Sequence, residues 1–398
     1  MLAVMALTLA VLSGGTQVPP RTQDGPFDTL QKVIPNPTGK NGYEEFVVAS
    51  AMIRYSTEIT DAVEQNRVTL KEKRQGVAMN RKALELFRAG LKKPILPPRE
   101  KVGFDTVFPE LGHFRDLARL LRWEQEVYLA DGRVSQAISS WRDGMMFSRR
   151  IQMTVLIAGL VGVACENINM VAVPHHLEQL SYSDCRQLQQ AVTELLALPD
   201  PLPALLNAEF QTMDQMLSDL AKKRNLKLDD LVGELDEQQP GAPDPLEVFR
   251  RDPGFLIQSI PKVREILQRR HAELLSDARK PAWERTPPED DTSQNSDPVE
   301  RLAAVFSPSL ARVTDRYTVT QVRLRLLGTH AAVLSYRWWN DHPPASLEML
   351  KLGDMAVDPF SGKPFKYVPS EFSYQLHSVG GGQRGPQGDL FVTPEGTH

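Results

Sequence analysis

Apolar residues recur at three- and four-residue intervals over most of this chain, a spacing that predicts a mainly helical fold. Tyr43, Phe46, Val47, Met52 and Ile53 follow that period from Gly42 onward. A second helix is expected from Leu70 to Leu91, stopped at Lys92-Lys93-Pro94, where basic residues suit the helix dipole and proline bars continuation. Leu111 to Leu129 and Val134 to Ser148 flank the turn Asp131-Gly132-Arg133, and a fifth helix is expected over Ile151 to Val173, closed by Pro174. Its stretch from Met153 to Cys165 is apolar all round. Bounded by Arg149-Arg150 and Glu166, it falls short of the roughly 20 residues that span a bilayer. Ala158, Gly159 and Gly162 predict close helix contact in a bundle core instead. Ser181 or Ser183 caps a sixth helix reaching Leu198, another runs from Leu202 to Lys223, and a further one spans Ile260 to Ala278.

The pattern changes towards the C-terminus. A long helix is expected from Ala311 to Trp339, with Tyr317, Val322, Leu326, Leu327, His330, Val333 and Leu334 on its apolar side. It breaks at Asn340-Asp341-His342-Pro343-Pro344. Phe372, Tyr374 and Leu376 then alternate as a strand does, and Ser378-Val379-Gly380 enters a glycine-rich loop. Connectors divide these blocks. Residues 16–40 are rich in proline and carry no periodicity, and residues 279–298 hold almost nothing to bury. The expected organisation is a leader at 1–15, a linker at 16–40, a helical domain at 41–278, a linker at 279–307 and a small α+β module at 308–392.

The leader bears on location. Met1 to Gly15 carries no charged side chain and ends in Ser13-Gly14-Gly15, as the apolar region and cleavage site of a signal peptide do. The basic residues that normally precede such a region are absent, so a start upstream and an uncleaved anchor both stay open. Export to the periplasm or tethering in the cell envelope is the expectation, with membrane contact only through this segment. The net charge of −4 over 398 residues gives no basic face for nucleic acid. The two cysteines, Cys165 and Cys185, would sit at different heights on neighbouring antiparallel helices. Two buried free thiols are expected rather than a disulfide.

Two segments share a small–aromatic–small spacing: Ala83, Phe87 and Gly90, and Ala137, Trp141 and Gly144, the latter preceded by Tyr128 and Gly132. They resemble the second helix of a tetratricopeptide hairpin, which implies a peptide-binding scaffold; an irregular bundle of helical hairpins is the alternative. Nearer the C-terminus, Tyr336, Asn340, Pro344, Leu347, Leu350, Asp358, Pro359, Gly362, Pro364, Tyr367, Tyr374, Leu376, Ser378 and Gly380 follow in order. This segment resembles the globular half of type II secretion major pseudopilins. The resemblance covers about a fifth of the chain. A prepilin cleavage motif and the apolar first half of the pilin helix are missing, so polymerisation as a pilin is not expected. The family's loop binds calcium, whereas Gly380 to Asp389 here offers one carboxylate and one arginine, and no calcium is expected. With its Gly42-Tyr43-Glu44-Glu45-Phe46 opening, the whole chain is similar to uncharacterised exported bacterial proteins.

Catalytic chemistry leaves no signature. His175-His176, with Glu178 and Asp184 nearby, is more simply a pair of helix-terminal histidines on the last carbonyls than a metal site. His330 reads as a core-edge residue, and Glu289-Asp290-Asp291 as an exposed acidic linker. No nucleophile elbow, phosphate loop or dinucleotide fingerprint occurs. No catalytic, cofactor-binding or metal residue is therefore assigned, and no cofactor. The leading expectation is an envelope-localised interaction or scaffold protein that contacts other envelope proteins, with a link to secretion or pilus-like machinery. The rival is a periplasmic enzyme, hydrolytic in kind, with a site between the helical domain and the C-terminal module.

Overall fold

Several helix starts are set by short polar side chains that accept one of the first free amides. The computed structural model describes residues 25–99, 102, 106–153, 155–222, 226–228, 246–286, 297–306 and 310–380. The leader, the acidic run at 289–291 and the loop beyond Gly380 lie outside the described residues. In chain order come α1 (Pro26–Val33), α2 (Gly42–Ala51), α3 (Thr57–Glu64), α4 (Leu70–Met79), α5 (Arg81–Leu91), α6 (Pro109–Ala130) and α7 (Val134–Arg150). They are followed by α8 (Leu156–Asn169), α9 (Tyr182–Leu196), α10 (Leu202–Leu220), α11 (Glu247–Arg251), α12 (Pro253–Ala278), α13 (Pro298–Phe306) and α14 (Leu310–Asn340). One antiparallel hairpin, β1 (Lys366–Pro369) and β2 (Tyr374–His377), pairs Tyr367 with Leu376 and Val368 with Gln375. Asn41, Ser56, Thr69 and Ser181 each accept an amide of the helix they start. Glu72 and Asp184 return the favour to the caps of α4 and α9.

Several boundaries differ from the periodic reading. The helix expected from Leu70 to Leu91 is two, because Asn80 turns its side chain onto the backbone. Its amide donates to the Arg54 and Gly76 carbonyls and its oxygen accepts the Arg54 N–H, each at 2.8 Å. The helix expected from Ile151 begins only at Leu156. The chain at Val155 is extended, and Gln152 folds across to donate to the Glu166 carboxylate at 2.5 Å. It ends at Asn169, and Pro174 opens a 3-10 turn, Pro174–Gln179. Part of each stretch read as linker is helical. Leu30 and Val33 bury the inner side of α1, and α13 packs on α12 through Leu302 and Ala303. The segment Leu156–Gln179 is long and apolar enough to cross a membrane, yet most of its apolar stretch is buried inside the protein. It is the bundle's central element.

Two large cores account for most of the packing. In the first, Phe46 of α2, Phe87 of α5 and Phe114 of α6 surround Phe147 of α7 in edge-to-face contacts at 5.0, 5.5 and 5.3 Å. Cys165 belongs to this core. The second gathers Ile138 and Trp141 of α7, Leu188, Val192 and Leu195 of α9, and Leu326, Leu327 and Leu334 of α14. Phe365, Tyr374 and Leu376 of the hairpin region belong to it too, as does Cys185. Burial in these separate cores pushes both thiols up to about 12, and both are free. The C-terminal segment thus shares its core with the helices that precede it. At Gly328 α14 approaches its neighbours closely: a Cβ there would lie 2.7 Å from Met355 Sδ and 2.8 Å from Val192 Cγ1.

Two consequences are measurable. Replacing the fully buried Leu326 by Ala should destabilise the protein by about 2–5 kcal/mol, read as a lower urea midpoint with fluorescence of α7's Trp141 and hairpin probes moving together. A second concerns Asp315 on α14, half-buried and only partly offset by the Arg285 charge. Burial lifts its carboxyl to about 6 from 3.8. Because the folded value is the higher, its destabilising effect is absent below about 3.8 and grows as pH rises to about 6. Asp315→Asn should therefore raise the melting temperature at pH 7.5 and leave it unchanged near pH 3.5.

Candidate functional site

The histidines that invite a metal reading do not converge. His175 and His176 sit in the 3-10 turn with their Nδ1 atoms 2.6 Å from the Val171 carbonyl and 3.2 Å from the Ala172 carbonyl. Glu178 pairs with Arg337, and Asp184 is occupied capping α9. Among the described residues, no group of three or more His, Cys, Asp and Glu side chains is placed to hold a metal ion. His330 is fully inside the second core rather than at its edge, with Nδ1 3.0 Å from the Tyr374 hydroxyl.

Asp358 organises the C-terminal turn. Its side chain is buried and accepts the Ser378 hydroxyl at 2.9 Å, the Val379 amide at 3.0 Å and the Phe360 amide at 2.9 Å. Its own backbone N–H donates to the Lys363 carbonyl, and its carbonyl accepts the Gly362 N–H. The run from Asp358 to Pro364 is therefore a closed turn that fixes where β2 leaves the sheet. Trp283 lies against Gly362, and Tyr367 donates to the Pro344 carbonyl at 2.7 Å. Asp358, Gly362, Tyr367, Tyr374 and Ser378 are thus brought together, in the service of folding.

The small–aromatic–small positions also serve packing. Phe87 and Trp141 are fully buried, and Gly90 meets Gly42, so that α2 and α5 cross backbone to backbone. Beside them lies a polar network: Arg88 forks onto Glu124 and reaches Asp143 at 3.1 Å, while Ser140 donates to Glu124 at 2.6 Å. It ties α5, α6 and α7 together.

The surface feature left over is aromatic. Trp338 and Trp339 end α14 at 57% and 73% exposure. Tyr182, the first residue of α9, stands edge-on to Trp339 at 5.4 Å. Trp338 is held by its indole N–H, which donates to the Leu180 carbonyl at 3.0 Å, and the Arg337–Glu178 pair flanks it. The apolar period of α14 does not require these residues, because two consecutive tryptophans cannot both face one helical stripe. That adjacency was a sequence signal for an exposed aromatic, and the periodic reading passes over it. No protein-family model, curated protein or solved structure matches the chain.

Removing the Asp358 carboxylate should loosen the whole turn. Asp358→Ala leaves three donors without their acceptor and should cost about 2–3 kcal/mol, with amide exchange accelerated first at Phe360, Val379 and the hairpin.

Proposed function

We propose that this chain is an envelope-localised interaction or scaffold protein whose contact face is the Tyr182–Trp338–Trp339 surface. The observation that carries the reading is this exposed aromatic group held on two well-packed helices. Tryptophan, tyrosine and arginine dominate the energetic centres of protein interfaces, since large rigid side chains desolvate at low entropic cost. Presented on helices rather than on a loop, they need little ordering before a partner docks. The apolar leader at 1–15 supports export or tethering. The order of long helix, Asp358 turn and Tyr374 strand supports a link to secretion or pilus-like machinery through its likeness to major pseudopilins, and the helical hairpins support a tetratricopeptide-like scaffold. The enzymatic alternative would need open polar groups between the helices and the C-terminal module. Where those elements meet through Val192, Leu326, Phe365 and Leu376, the contact is buried and apolar, which favours a structural seam over a site in that part.

In-cell cross-linking and recovery from the envelope fraction tests the reading. The expected partners are pseudopilins or secretion-platform proteins, with recovery reduced at least tenfold by Trp339→Ala, the loss of a single contact worth about 2 kcal/mol. Recovery of the chain alone, equal recovery with Trp339→Ala, or its presence in the cytosol would overturn it.

A further inference from the structure

Deep between α7, α8 and α14 lies a second feature, independent of the exposed aromatic face. Arg149, at the end of α7, is buried and meets the buried Glu166 of α8 through Nε at 3.0 Å. Gln152 donates to the same carboxylate oxygen at 2.5 Å. The other oxygen of Glu166, the Nη2 of Arg149 and the hydroxyl of Tyr317 on α14 are all sealed from solvent without a hydrogen-bond partner in the protein.

These groups lie along one face of α8. Tyr317 sets its hydroxyl over Gly159, where a Cβ would come within 2.3 Å of it, and Gln152 lies over Gly162. Gly159, Gly162 and Glu166 are spaced three and four apart, and a helical side chain leans back towards the N-terminus, so Glu166 points along the row towards Tyr317. Burial acts most on the tyrosine hydroxyl, followed by the charges of Glu166, Asp200 and Arg149. A buried donor or acceptor without a partner costs about 1–3 kcal/mol, and three in one row call for a guest.

We propose that Arg149, Glu166 and Tyr317 form an internal hydration site in which ordered water joins α7 and α8 to α14. Charge balance selects the guest. Arg149 and Glu166 neutralise each other, so an anion or a cation would leave a net charge buried, a far larger penalty than hydrating the pair. Water can accept from Arg149 Nη2 and donate to Glu166 Oε2, with the Tyr317 hydroxyl taking either role. Such a site lets Tyr317 seat on α8 across a polar row, while Arg323 of α14 donates directly to Asn167 of α8 at 2.9 Å nearby.

Tyr317→Phe tests this through the sign of its effect. If water satisfies the hydroxyl, removing it breaks a made hydrogen bond, and the melting temperature falls by about 2–4 °C. If the hydroxyl is dry, removing it relieves an unmet group, and the melting temperature rises or stays level, which overturns the proposal. A crystal structure of the unaltered full chain, grown with bromide in place of chloride, gives a reading that does not depend on the variant. Solvent density within hydrogen-bond reach of at least two of the three atoms is expected. An anomalous bromide peak there, or no density, overturns the assignment.

Discussion

The apolar seam between α9 and α14 is the constraint on which the C-terminal third of the molecule depends. A two-stranded hairpin has too little surface to be stable by itself. Here Tyr374 and Leu376 enter a core already supplied by Val192, Leu195, Leu326 and Leu327. The fit at Gly328 leaves no room for a side chain between α14, α9 and the turn carrying Met355. The same seam fixes Tyr182 beside Trp339, since one begins α9 and the other lies in the last turn of α14. The exposed aromatic face therefore follows from the buried packing beneath it.

Polar groups inside the fold divide by purpose. Asp358 takes three donors and holds a turn, and His330 and Tyr374 match each other across the core. Arg88, Glu124, Asp143 and Ser140 lock a three-helix junction that remains partly open to water. The row at Arg149, Glu166 and Tyr317 is different, because its protein partners leave buried atoms unmet. Burial holds the Glu166 carboxyl above its ordinary value, as desolvation outweighs the stabilising arginine and glutamine.

Much of the helical architecture was legible in the sequence, because its signals are local. The turn at Asp131-Gly132-Arg133, a serine cap near 181–183, which the structure places at Ser181, and the apolar side of α14 are all written in neighbouring residues. The break at Asn80 was not, since it depends on carbonyls that only the folded chain brings within reach. The late start of α8 depends likewise on Gln152 finding Glu166. Nothing near Trp283 marks that it packs on Gly362, whereas Val299, Leu302, Ala303 and Phe306 of α13 carry a helical period inside a stretch read as linker. The aromatic face could have been read from the paired tryptophans. The buried row could not, because its members lie far apart in sequence.

The central claim is that the C-terminal segment and the helices before it fold around one core. Native-state hydrogen exchange across a denaturant series, following amides of α9, α14 and the β1–β2 hairpin, tests it most directly. A shared core predicts that the slowest amides of all three merge into one unfolding isotherm at the global stability. Separate isotherms, with α14 and the hairpin opening together at lower free energy while α9 stays protected, would contradict it.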